Sequence, residues 1–166
     1  MPIDFENITD HTGVKIYNFD ASKNVDEDDL NEIKKLMQNK HFICFKNQKL
    51  DEDSLINFCK YFGNLESYPE KNKTKKNIQI FNVANISADG EHLNENDPRV
   101  VLQKNNSRWH TDSSYRFYPA LYSLLFGKET LPKEASGGQT QFSNMLLAYK
   151  SLPCLLYTSD AADETV

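Results

Sequence analysis

Residues 109–112 read Trp-His-Thr-Asp, and residues 137–140 read Gly-Gly-Gln-Thr. Side chains alternate between two faces along an extended segment, so His110 and Asp112 are expected to point the same way. An imidazole and a carboxylate directed at one point are two of the three ligands of the two-His-one-carboxylate triad, which holds non-haem Fe(II) and leaves positions open for chemistry. The sequence therefore predicts part of a metal site at His110 and Asp112, whose third ligand comes from elsewhere.

The 166-residue chain has the length of one domain, and its 39% hydrophobic content allows a single core. The formal net charge of −5 argues against a general nucleic-acid or anionic-membrane binder. No apolar run reaches the length of a membrane span, and the N-terminus lacks the regions of a signal peptide. Cys44 and Cys59 lie in apolar surroundings and are predicted to be buried free thiols, which favours a reducing cytoplasm.

Hydrophobic periodicity predicts helices among strands. The predicted helices span 26–39, 52–62 and 145–152, with Asp51 and Asn144 as N-caps of the last two and Gly63 as a left-handed stop of the second. Asp89-Gly90 marks a turn. Strands are predicted at 14–19, 42–45 (buried on both faces), 78–83, 121–126 and 140–142. Two early helices followed mostly by strands indicate an α+β protein with a β-sandwich or barrel core.

Around the metal motif, the sequence resembles the Fe(II)/2-oxoglutarate-dependent dioxygenases of the taurine and 2,4-dichlorophenoxyacetate type, the TauD/TfdA family. The resemblance covers nearly all of residues 12–153 and is closer to the dichlorophenoxyacetate branch, judging by Asp112-Ser113-Ser114 and Tyr122-Ser123. The matching segments are Lys46–Leu50, Phe58–Leu65, Trp109–Ser114, Pro119–Leu125, Pro132, Gly137–Phe142 and Ala148–Leu152.

The resemblance implies a double-stranded β-helix, or jelly-roll, core with flanking N-terminal helices. It implies that His110 and Asp112 are the first two iron ligands, and that the Thr140 hydroxyl helps to hold the distal carboxylate of 2-oxoglutarate after the Gly137-Gly138 turn. The implied activity is hydroxylation of a small, anionic organic substrate with O₂, releasing succinate and CO₂. Related halogenases lack the carboxylate ligand, so Asp112 favours hydroxylation.

The family's second iron histidine, and the arginine beyond it that pairs with 2-oxoglutarate, are expected downstream of the matched region. Residues 113–166 contain no histidine. The other histidines are expected to be surface or structural groups: His11, His41 and His92. Arg108 and Arg116 are expected to face solvent, with contact to substrate as the alternative. Two polar segments are interpreted as ordinary loops, with contact to an anionic substrate left open: Glu70–Asn77 and Lys104–Asn106.

Residues 154–164 resemble an in-frame translation of a sequencing adapter, so 1–153 are expected to be the N-terminal part of a dioxygenase domain and 154–166 a non-native tail. Such a fragment is expected to hold an incomplete jelly roll, to be prone to aggregation and to be inactive. A non-catalytic jelly-roll binding module is the alternative function. The expected partner is a small-molecule substrate, with no nucleic acid and no membrane, and a homo-oligomer of the intact protein stays open.

Overall fold

The computed structural model describes residues 3–67, 78–87, 89–132 and 134–153. The described residues form three short strands and four helices: β1 (Phe5–Asn7), β2 (Val14–Ile16), α1 (Glu27–Lys40), β3 (Ile43–Phe45), α2 (Glu52–Lys60), α3 (Pro98–Asn106) and α4 (Met145–Lys150). The chain divides into two compact units. The first unit comprises Met1–Phe19, Asp26–Asn47 and Gly127–Val166, and the second comprises Asp20–Val25 and Gln48–Phe126.

A three-stranded mixed sheet forms the centre of the first unit. The strand order is β1-β2-β3, with β1 antiparallel to β2 and β2 parallel to β3. Helix α1 connects β2 to β3, because parallel neighbours need a crossover rather than a tight turn. Val14 and Ile16 of the middle strand and Ile33 of α1 are fully buried. Each contributes roughly 1.5–3 kcal/mol of hydrophobic free energy, so they carry much of this unit's stability.

The strands of this sheet differ from the sequence-based predictions. β2 ends at Ile16 rather than at residue 19, because Ile16 is the last residue paired with either neighbour. β3 begins at Ile43 and is half-buried, so the prediction of burial on both faces was wrong. Its place at the edge of the sheet leaves one side without a neighbouring strand among the described residues. β1 was not predicted, since all three of its residues are exposed.

Helix α2 begins where the sequence predicted, and α1 begins at Glu27, one residue after its predicted start. Asp26 caps α1 by accepting a 2.8 Å hydrogen bond from the Asp29 N–H, and Asp51 caps α2 through the Ser54 N–H at 2.7 Å. α1 runs one residue past its predicted end, whereas α2 ends at Lys60 instead of residue 62. Gly63 then takes a φ of +137°, which favours glycine, and its N–H donates to the Lys60 carbonyl.

Of the two remaining helices, α4 was predicted from the sequence and α3 was not. Asn144 caps α4 as predicted, accepting from the Leu147 N–H at 3.0 Å, although the helix ends at Lys150. Helix α3 was not predicted, even though Asp97 caps it and Pro98 occupies its first turn. The predicted turn at Asp89-Gly90 is confirmed: the Gly90 φ is +83°, and its N–H donates to the Ser87 carbonyl at 3.1 Å.

The strands predicted at 78–83, 121–126 and 140–142 were wrong, because in the described part of the chain these segments form no strand. Apolar residues form strands only where a neighbouring backbone pairs with them, and Leu121 at 80% exposure shows how open this region is. Two of the segments dock through aromatic rings instead. Phe142 stacks on Phe42 at 4.0 Å between ring centroids, and Tyr122 meets Phe62 edge-on at 5.8 Å.

Cys44 and Cys59 are free, as predicted, but half-buried rather than buried. Burial raises the pKa of the Cys59 thiol above its ordinary value, because the thiolate loses solvation. Within the described ranges, none of the helices is long and apolar enough to cross a membrane.

Candidate metal centre

The segment carrying His110 and Asp112 follows directly from the end of α3. The Ser107 and Arg108 N–H groups donate to the carbonyls of Lys104 and Asn105, which closes the last turn of the helix. The next residues lie on no strand, and Asp112 belongs to a turn rather than to an extended segment. The chain instead enters a turn, in which Ser113 has a φ of +54° and the Arg116 N–H donates to the Ser113 carbonyl at 3.0 Å.

This bent segment nevertheless brings the two predicted ligands together. His110 Nε2 lies 3.3 Å from Asp112 Oδ1, with 48% and 60% of the two side chains exposed. Two ligands at right angles on one metal, each with a bond of about 2.1 Å, are about 3 Å apart. The observed separation therefore suits two adjacent ligands of one ion.

A second contact fixes which nitrogen of His110 faces the carboxylate. His110 Nδ1 lies 2.7 Å from the backbone carbonyl oxygen of Arg108. A carbonyl only accepts hydrogen bonds, so Nδ1 is the donor in this contact, and Nε2 is the ring nitrogen left to face Asp112 or a metal. Metal-binding histidines are commonly oriented in this way by a carbonyl behind the ring.

The donor set fits a divalent cation. A lone pair of Nε2 and a carboxylate oxygen at 3.3 Å repel each other unless a proton or a cation lies between them. One nitrogen and one oxygen donor match two positions of the facial triad of non-haem Fe(II). In the described ranges, no group of three or more His, Cys, Asp or Glu residues could hold a metal. The described residues therefore offer two of the three donors that such a triad needs.

The turn after Asp112 contains a charged cluster that was not predicted. Ser113 is only 7% exposed, and its Oγ donates a 2.7 Å hydrogen bond to Glu66 Oε2. Arg116 forms an ion pair through Nε with Glu66 Oε1. Arg116 is half-buried, so its predicted exposure to solvent was wrong. The sequence near Glu66 does not indicate this role, because its partners Ser113 and Arg116 lie 47 and 50 positions further along the chain.

Thr140 lies exposed in the first unit, after two glycines with positive φ, +88° at Gly137 and +71° at Gly138. These positive φ values favour glycine, whereas a methyl group at Gly138 would meet only the movable end of the exposed Leu131 side chain, with Cδ1 at 2.5 Å. This geometry accounts for both glycines as requirements of the turn. The role of Thr140 toward 2-oxoglutarate stays a prediction.

The other residues considered as ligands or anion contacts have ordinary positions. All three remaining histidines are exposed, as predicted: His11, His41 and His92. His41 ends α1, with a φ of +64° and its N–H donating to the Met37 carbonyl at 2.8 Å. Lys104–Asn106 form the last turn of α3, so their interpretation as a loop was wrong, and Lys104 forms an exposed ion pair with Glu95 at 3.7 Å. The segment at residues 70–77 lies outside the described residues.

The family model for the taurine catabolism dioxygenase TauD, TfdA family matches residues 4–156. A 2,4-dichlorophenoxyacetate dioxygenase from Cupriavidus pinatubonensis, named as alpha-ketoglutarate-dependent, is 33% identical over 129 residues, covering 75% of this chain and 44% of the relative. An (S)-phenoxypropionate/alpha-ketoglutarate-dioxygenase from Sphingobium herbicidovorans is 30% identical over 112 residues, covering 66% and 34%. The chain spans less than half the length of these curated relatives.

Two solved structures are similar in fold. One is a Burkholderia xenovorans protein assigned to the alpha-ketoglutarate-dependent 2,4-D dioxygenases, with a TM-score of 0.66 and 24% identity, covering 95% of this chain and 49% of that one. The other is AAD-2 in complex with Mn(II) and N-oxalylglycine, with a TM-score of 0.61 and 22% identity, covering 72% and 40%. At these identities the likeness concerns the fold.

Proposed function

This chain belongs to the taurine catabolism dioxygenase TauD, TfdA family, and from that premise we propose that the intact protein is an Fe(II)- and 2-oxoglutarate-dependent dioxygenase. It hydroxylates a small, anionic organic molecule and releases succinate and CO₂. The observation that carries the proposal is the approach of His110 Nε2 to Asp112 Oδ1 at 3.3 Å, with Nδ1 engaged by a carbonyl. That arrangement leaves two donor atoms directed at one point.

The roles of the residues follow from their chemistry. His110 and Asp112 hold Fe(II), and the Arg108 carbonyl keeps the His110 ring in the tautomer that offers Nε2. The hydroxyl of Thr140 donates to the distal carboxylate of 2-oxoglutarate. Bound iron and 2-oxoglutarate together supply the activation of O₂. We propose that a protein of the relatives' length contains further sequence that completes the jelly roll. That sequence supplies a second histidine ligand and an arginine that binds the carboxylate of 2-oxoglutarate.

The substrate is proposed to be a small organic anion. The relatives from Cupriavidus and Sphingobium are named for 2,4-dichlorophenoxyacetate and (S)-phenoxypropionate, both of which are aryloxy carboxylates. An anion with an apolar body needs a cation and an apolar wall, and Trp109 beside the ligand pair offers such a wall. Asp112 supplies the carboxylate that favours hydroxylation. The free thiols of Cys44 and Cys59 support a cytoplasmic location.

A non-catalytic binding module is the alternative, and the incomplete ligand set among the described residues is the observation that favours it. The gene sequence beyond residue 153 separates the two functions. A histidine followed by an arginine there supports the enzyme, whereas their absence supports the binding module. For the 166-residue chain by itself we expect no turnover, because two ligands hold iron weakly.

The proposal is tested with the protein encoded by the gene read to its stop codon, purified without oxygen and supplied with Fe(II) and 2-oxoglutarate. Succinate is measured against a panel of aryloxy carboxylates and alkyl sulfonates. We expect at least one substrate to stimulate succinate release, and Asp112→Ala to reduce that release by more than about 100-fold. Asp89→Ala, which changes an exposed turn aspartate of the same unit, is the matched control. Undiminished release in Asp112→Ala would contradict the role of Asp112 as a ligand.

A further inference from the structure

One carboxylate joins both sides of the turn that follows Asp112. Glu66 Oε2 accepts from the Ser113 hydroxyl at 2.7 Å, and Glu66 Oε1 faces Arg116 Nε in an ion pair. Both facing atoms of the ion pair are fully covered from solvent. Both oxygens of Glu66 are therefore directed at side chains of this turn rather than at a metal.

The burial at this turn is local and depends on Glu66. Among the residues that the structure describes, Ser113 is the polar residue that is buried, whereas its neighbours Asp112 and Ser114 are exposed. The two side chains are partly exposed, 37% for Arg116 and 20% for Glu66, but their facing atoms are covered, so loss of Glu66 would leave the covered Arg116 Nε without its carboxylate. Ser113 also has a φ of +54°, a left-handed conformation that a non-glycine residue keeps only when its surroundings hold it there.

The two ligands are thus restrained from opposite sides. His110 is restrained by the Arg108 carbonyl, which lies before the pair in sequence. Asp112 is bonded directly to Ser113, whose side chain is held by Glu66 and whose carbonyl accepts from the Arg116 N–H. Without Glu66, the second restraint is lost, and the covered Arg116 nitrogen has no counter-charge. Asp112 then has no fixed orientation toward His110.

We propose that Glu66 is a positioning residue of the metal centre: through Ser113 and Arg116 it holds the turn that keeps Asp112 facing His110. This inference rests on the proposed function, because it concerns the affinity of the same two ligands. It also separates Glu66 from the ligands themselves, since both of its oxygens are engaged within the turn.

The test uses the protein encoded by the gene read to its stop codon, because two ligands alone hold a metal weakly, with Mn(II) as the probe and free Mn(II) measured by electron paramagnetic resonance. Glu66→Ala is expected to weaken Mn(II) binding by about 10- to 100-fold, as for loss of other residues that orient ligands. Glu66→Gln keeps the side-chain length and an acceptor for Ser113, and it is expected to give a smaller loss while preserving the fold. Glu95→Ala is the matched control, since Glu95 also forms an ion pair in this unit, with Lys104, but is exposed on the surface. Equal affinity in wild type and both Glu66 variants would overturn the proposal.

A second measurement is independent of metal. Hydrogen exchange of the Arg116 amide reports the turn directly, because this amide donates to the Ser113 carbonyl. We expect faster exchange in both Glu66 variants and unchanged exchange in Glu95→Ala. If wild type binds Mn(II) no better than His110→Ala, the metal site of the proposed function fails. Hydrogen exchange alone then tests whether Glu66 holds the turn. Exchange that is unaffected by either Glu66 substitution would then refute it.

Discussion

At the residue scale, a single hydrogen bond gives the His110 ring its direction. The Arg108 carbonyl accepts a hydrogen bond from Nδ1–H, and Nε2 is the nitrogen that approaches Asp112. The sequence predicted this pair from the one-residue spacing, and the two side chains do meet. It expected an extended segment, whereas Asp112 lies in a turn with a left-handed Ser113, whose side chain contacts Glu66, a residue that no local pattern connects to it.

Cys59 offers a prediction about a single side chain. Burial on α2 raises the pKa of its thiol, so at any pH below that value less thiolate is present than in an exposed cysteine. We expect alkylation of Cys59 at about pH 8 to be slower in the folded chain than in the same chain in urea, because the thiolate is the reactive form. Peptide-level mass spectrometry measures both rates. Equal rates in the folded and unfolded chain would show that the thiol is not desolvated.

At the scale of elements, three of the four helices and the strands β2 and β3 were located from sequence, whereas three other predicted strands did not form in the described residues. A cap is a local interaction, so Asp51 and Asn144 could be identified from sequence alone. A strand depends on a partner distant in sequence, which explains why the apolar run at 121–126 failed as a prediction. Helix α3 was missed although Asp97-Pro98 is a start signal, because its exposed and half-buried residues show no strong apolar stripe.

The cap of α3 predicts a specific dependence on pH. Each carboxylate oxygen of Asp97 accepts a 2.9 Å hydrogen bond from the Arg99 side chain, and Asp97 also accepts one from the Arg99 backbone N–H. These hydrogen bonds lower the pKa of the Asp97 carboxyl from 3.8 to about 2. A lowered pKa means that the folded state binds this proton less readily than the unfolded state. The cap therefore contributes stability above about pH 4, and that contribution is lost as the pH falls through about 2.

The expected outcome is an NMR titration of the Asp97 carboxyl carbon with a midpoint near pH 2. The Asp97→Asn variant keeps an acceptor for the Arg99 N–H, so its α3 amide signals should show no such step. A wild-type midpoint at the ordinary aspartate value would mean that Arg99 does not hold this carboxylate in solution.

At the scale of the whole molecule, the two units differ in how they bury apolar surface. The first unit has a compact core at Val14, Ile16 and Ile33. In the second unit, large side chains after the ligand pair lie open to solvent, with Phe117 90% exposed and Tyr118 83% exposed. The family resemblance in the sequence correctly indicated the family, and the similar solved structures agree in fold.

This exposed apolar surface predicts self-association of the 166-residue chain. Contiguous apolar patches on a soluble protein favour contact with other molecules. We expect the apparent mass in size-exclusion chromatography with light scattering to rise with concentration, and an apolar dye to fluoresce on binding. Replacing Phe117 and Leu121 with Ser should reduce both effects, whereas Ser substitutions at exposed Lys23 and Lys128 should not. A monomer at all concentrations that leaves the dye dark would contradict the prediction.

We propose that His110 and Asp112 of the intact protein bind ferrous iron together with 2-oxoglutarate. The most direct measurement is visible absorption of the protein encoded by the complete gene, loaded without oxygen with Fe(II) and then with 2-oxoglutarate. We predict a metal-to-ligand charge-transfer band that requires both additions, persists in Asp89→Ala and is lost in Asp112→Ala. Absence of the band when both metal and ketoacid are present would contradict the account.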